Sequence, residues 1–72
     1  MTDDPPAPTL SPRQQHILES ISRGLTSADI AKELGISFDM VREHTKALLQ
    51  KLGAANRTEA VTIALRKHLL KI

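Results

Sequence analysis

Seventy-two residues with a single aromatic and no cysteine make one small domain at most, and they exclude disulfides, thiolate metal sites and cysteine nucleophiles. No apolar run reaches the roughly 20 residues needed to cross a bilayer and no signal peptide opens the chain, so a soluble, cytoplasmic protein is expected. Net charge is +2, but Asp3 and Asp4 lie in the Pro-rich start, which leaves ten basic against six acidic residues from Leu10 onward, a surplus suited to an anionic partner.

Met1 to Thr9 holds three of the four prolines and reads as a disordered leader or linker, with the folded domain spanning residues 10–72. Ser11 caps a first helix: Pro12 takes the first helical position, Gln14 completes a capping box, and Ile17, Leu18, Ile21 and Leu25 recur at helical spacing before and around the stop at Gly24. Thr26 caps a short second helix, with Asp29 in its first turn and Ile30, Ala31 and Leu34 turned inward. Gly35 supplies the tight turn, where positive φ is cheap for glycine. Ser37 then caps a third helix that Gly53 stops. Asn56 with Glu59 forms another capping box for a fourth helix running toward Leu70.

Nothing alternates with period two, so the expected fold is all-α: a four-helix, bundle-like helix-turn-helix domain, with the second and third helices joined around Gly35. The third helix is the informative one. At about 100° per residue, Val41, His44, Thr45, Leu48 and Leu52 gather on one side, and Asp39, Arg42, Glu43, Lys46 and Gln50 on the other. One face can bury; the other can carry long polar side chains into an anionic groove, as a DNA recognition helix does. Catalysis finds no support, because no nucleophile–base pair or glycine-rich phosphate loop is visible. His16, His44 and His68 fall on different helices with no acidic or thiol ligand at motif spacing, so no metal, cofactor or small-molecule ligand is expected.

From Leu10 to about Leu70 the chain resembles the LuxR-type helix-turn-helix domain of bacterial quorum-sensing regulators and NarL/FixJ-type response regulators. The resemblance rests on Leu10-Ser11-x-Arg13, Gly24-x-Thr26-Ser27, Asp29-Ile30-Ala31 and Leu34-Gly35-Ile36-Ser37. It continues through Val41-Arg42-x-His44, Leu48, Lys51-Leu52-Gly53 and Asn56-Arg57-Thr58-Glu59-Ala60-Val61. The chain departs from the family at Gln14, usually Glu, which leaves the family's salt bridge from that position toward the fourth helix without its carboxylate. It departs again at Ala28, often Lys or Arg, and at Met40, often Thr, each removing a polar group near the DNA backbone. The sensor domain that usually precedes this module is not among these residues, so an excised effector domain and a stand-alone regulator both remain open.

The resemblance implies sequence-specific DNA binding for transcription regulation in a bacterial cytoplasm, associated with the nucleoid when bound. Geometry and resemblance agree on Arg42 and Lys46, one turn apart on the outward face, as base readers. Glu43 is either a third reader or an i, i+3 partner restraining Lys46. Phosphate contacts are expected from Thr26, Ser27, Ser37 and Lys51; Thr26 and Ser37 also serve as caps. The family dimerises through its fourth helix, and Ile63, Lys67 and Leu70, on the side opposite Ala60, Val61, Ala64 and Leu65, are the expected face of a weak homodimer reading two half-sites. The alternative is a helical protein-interaction module on the same scaffold, favoured by Asp39 and Glu43 among the outward residues.

Overall fold

The computed structural model describes residues 9–70, and the expected leader lies almost wholly outside them. Four helices, with no strand among the described residues, follow in order: α1 (Pro12–Ser22), α2 (Ser27–Leu34), α3 (Phe38–Leu52) and α4 (Arg57–Arg66). Each begins at the side chain that caps it. Ser11 Oγ accepts the Gln14 amide at 3.1 Å while Gln14 Oε1 accepts the Ser11 amide at 3.0 Å. Thr26 and Asp29 exchange the same pair of bonds at 3.2 Å each. Ser37 Oγ accepts the Met40 amide at 3.1 Å, and Asn56 Oδ1 the Glu59 amide at 2.8 Å. The box expected of Asn56 and Glu59 closes one residue early, because Glu59 Oε1 accepts from the Ala55 amide instead. Each cap satisfies an otherwise orphaned donor, worth about 1 kcal/mol.

All four helices end in the same hydrogen-bond pattern. The amides of Leu25, Ile36, Ala54 and Leu69 reach back to the carbonyls of Ser20, Ala31, Leu49 and Ala64. The residue before each, namely Gly24, Gly35, Gly53 and His68, has positive φ and donates to a carbonyl three residues back. These are Schellman motifs, and the residue following each positive-φ position is apolar, as the motif's hydrophobic contact requires. Leu25, assigned by periodicity to α1, serves there as this apolar residue. At Gly35, in the turn of the helix-turn-helix, no atom lies within 4 Å of where a Cβ would sit, so backbone conformation rather than space selects glycine. His68 does the same work at φ +58° with a side chain, at a conformational cost. His68→Gly is therefore expected to raise stability by about 0.5–1 kcal/mol, several degrees in Tm; an unchanged or lower melting temperature would show that the His68 side chain contributes more than its backbone costs.

The core draws on every helix: Ile17, Leu18 and Ile21 from α1, Ile30 from α2, Val41, Leu48 and Leu52 from α3, Ala60 and Ala64 from α4, and Leu70 after it. α3 packs against the other three helices. Its one buried polar side chain, Thr45, donates to the Val41 carbonyl at 2.7 Å, so it burdens the core with no unpaired hydroxyl.

The end of the chain differs from expectation. α4 stops at Arg66, the chain turns at His68, and Gln15 Nε2 donates to the Leu69 carbonyl at 2.8 Å. Leu70 thereby returns to the core at 8% exposure and is not part of an outward α4 face. The expected dimer stripe fails at that residue because the helical register that would carry it outward ends four residues earlier.

A polar clamp joins α1 to α2. Glu33 Oε1 lies 2.6 Å from His16 Nε2, 3.2 Å from Ser20 Oγ and 3.2 Å from Arg23 Nη2. Facing a carboxylate, the His16 nitrogen is the donor. The His16 hydrogen bond, helped by Ser20 and the Arg23 charge and opposed by partial burial, holds the Glu33 carboxyl below its ordinary value of 4.5. A depressed carboxyl contributes stability above the unfolded-state value and loses it as pH falls through the folded-state value. Glu33→Gln should therefore melt below wild type at neutral pH, and the gap should close in acid below pH about 4. Thermal melts across that range check this; a gap independent of pH would contradict it.

Candidate nucleic-acid interface

The outward face of α3 is built by what its inward face buries. Val41, Thr45, Leu48 and Leu52 are buried, and the helical period leaves Asp39, Arg42, Glu43, Lys46 and Gln50 exposed. Asp39, Arg42, Glu43 and Lys46 line one shallow depression along the helix. Arg42 and Lys46 also border a second concavity, completed by Ser27, Thr45, Leu49, Asn56, Arg57 and Thr58. Two cationic side chains of α3 thus stand beside the first residues of both α2 and α4. Neither Arg42 nor Lys46 has a salt-bridge partner among the described residues, so their charge is available to a ligand.

The other expected contact residues divide. Ser27, half-buried at the start of α2, sits with Arg42 and Lys46 in the second concavity. Thr26 and Ser37 are exposed and act as the caps of α2 and α3. Beside Thr26, the Asp29 carboxyl is held below its ordinary value, first by the Thr26 backbone amide and then by the Thr26 side chain. Lys51 lines neither depression. Its Nζ donates to the Thr9 carbonyl at 3.0 Å and to Gln14 Oε1 at 2.9 Å, fastening the end of α3 to the start of α1. The Gln14 side chain is thereby engaged with α3. Ile63 is half-buried against the core and Lys67 is exposed.

Arg57 is a residue whose role the sequence left open. Its Nη2 donates to the Leu25 carbonyl at 2.7 Å, pinning the start of α4 to the loop between α1 and α2. No local signal marks this bond, since its partners lie 32 residues apart. His44 is half-buried on α3, as its place at the edge of the inward arc predicts. The described residues hold no group of three His, Cys, Asp or Glu side chains placed to bind a metal, and no helix long and apolar enough to cross a membrane.

Residues 8–64 match the family described as bacterial regulatory proteins, luxR family. The transcriptional regulatory protein YdfI of Bacillus subtilis is 43% identical over 63 residues, which cover 88% of this chain and 30% of that protein. The probable transcriptional regulatory protein NarL of Mycobacterium tuberculosis is 39% identical over 66 residues, 92% of this chain and 31% of that one. Among solved structures, the transcription factor GerE superposes with a TM-score of 0.81 at 34% identity, covering 86% of this chain and 92% of GerE. The response regulator ChrA of a heme-sensing two-component system gives 0.83 at 37% identity, covering 86% and 31%. The chain spans about a third of the length of these curated relatives. With residues 8–64 matched by the family and solved structures superposing at TM-scores of 0.83 and 0.81, the chain belongs to the luxR family of bacterial regulatory proteins, as a helix-turn-helix domain.

Proposed function

We propose that this domain binds double-stranded DNA sequence-specifically for transcription regulation, inserting α3 into the major groove as a weak homodimer on two half-sites. The observation that carries the reading is the exposed strip Asp39, Arg42, Glu43 and Lys46 on a helix whose opposite face anchors the core. Arg42 and Lys46 reach base edges, and Glu43 either accepts from a cytosine amine or steadies Lys46. Ser27, Thr26 and Ser37 contact phosphates from the starts of α2 and α3, where free amides and the helix dipole favour anions. Lys51, tied to Gln14 and Thr9, acts as a strut between helices. The relatives' description as transcriptional regulatory proteins supports the same reading.

Fluorescence anisotropy of the domain against a random duplex pool, followed by enrichment of bound sequences, tests this. Enrichment of a defined site, with affinity falling on a log–log salt slope of about −0.9 per phosphate contacted, is the expected result. Sequence-indifferent or salt-insensitive binding would favour a protein-docking role.

The dimer uses the outer side of α4, with Ile63 and Lys67 as its residues and Leu70 excluded by burial. Ile63→Glu is expected to abolish self-association in sedimentation and to bind one half-site as well as wild type does. Wild-type self-association surviving that change would place the interface elsewhere.

A further inference from the structure

Packing leaves two large apolar side chains exposed among the described residues: Phe38 at 49% and Met40 at 46%. Every leucine, isoleucine and valine among them is buried or half-buried. Phe38 and Met40 both belong to the first turn of α3. Helical spacing sets Phe38 alongside Arg42 and Met40 alongside Glu43, so an apolar side chain flanks each edge of the polar strip at its leading end.

Helix stability does not explain Met40. It occupies the third helical position, where α1, α2 and α4 carry Gln14, Asp29 and Glu59, each accepting a backbone amide at the cap or just before it. A methionine there receives the Ser37 cap but returns nothing. Solvation does not explain Phe38 and Met40 either, since both hold apolar surface in water. Nor do phosphates, which offer a thioether or phenyl ring no favourable contact. In the major groove the one apolar group that bases display is the thymine 5-methyl.

We propose that Phe38 and Met40 are specificity-determining residues that read thymine 5-methyl groups next to the base pairs faced by Arg42 and Glu43. This rests on the DNA-binding reading above. The flexible, polarisable thioether of Met40 adapts to a methyl on one edge, and the Phe38 ring covers one on the other.

The test replaces each thymine of an enriched duplex, one at a time, with deoxyuridine, which removes only the methyl. Wild type is expected to lose about fourfold in affinity per methyl read at one or more positions. Met40→Ala or Phe38→Ala should bind the thymine and deoxyuridine duplexes equally at the corresponding position, and Met40→Leu should keep the discrimination. Equal wild-type binding of every thymine and deoxyuridine pair, with Arg42→Ala still weakening the complex, would overturn this inference and leave DNA reading intact. Failure to bind any duplex would overturn both. Loss of self-association in the Phe38 and Met40 variants, with methyl sensitivity unchanged, would assign the patch to a protein contact instead.

Discussion

Leu48→Ala is expected to leave this domain largely unfolded at physiological temperature. Leu48 is fully buried on α3, the helix that packs against all three others, and losing its Cγ and two Cδ methyls opens a cavity in the core. Truncations of that kind cost about 2–5 kcal/mol. A chain of this size has roughly 4–10 kcal/mol of total stability at 0.05–0.15 kcal/mol per residue, and a large surface-to-core ratio puts it toward the low end. The core offers little to absorb the gap, since α4 contributes alanines at Ala60 and Ala64 and the one aromatic, Phe38, lies outside. Thermal denaturation followed by circular dichroism should show a drop of at least about 10 °C. A drop of a few degrees only would mean that the helices close over the cavity.

The second large effect concerns binding without folding. Arg42→Ala removes an exposed side chain with no intramolecular partner among the described residues, so the melting temperature should hardly move. Affinity for an enriched site should fall by roughly 5- to 150-fold, the 1–3 kcal/mol of a bidentate Arg–guanine contact. Affinity for unrelated duplex should fall much less, because phosphate contacts elsewhere remain. Competition anisotropy with the two duplexes separates these terms. An equal loss on both would make Arg42 a phosphate contact and move base reading to Lys46 and Glu43.

What the sequence made legible, and what it did not, follows the range of the interactions. Capping bonds run three residues, Schellman bonds run three to five, and inward faces repeat every third or fourth position, so helix starts, glycine stops and the buried side of α3 can be read locally. Contacts that cross the domain leave no such trace. Lys51 meets Gln14 across 37 residues, and Gln15 meets Leu69 across 54, set by how helices pack rather than by spacing. The departure near Leu70 has a specific cause. A glycine at position 68 would announce the stop, but His68 adopts the left-handed conformation itself, and the apolar period of the sequence runs on to Leu70. The interface divides in the same way. Arg42, Glu43 and Lys46 were visible as one exposed strip, whereas Phe38 and Met40 stand out only once every other large apolar residue is seen to be covered.

Amide chemical-shift mapping of the wild-type domain titrated with an enriched duplex shows whether α3 faces the DNA. The largest perturbations are predicted at Asp39, Arg42, Glu43 and Lys46, with a second group at Thr26 and Ser27. Perturbations concentrated on α4 or on the outer side of α1, with the α3 amides unmoved at saturation, would contradict a DNA-facing α3.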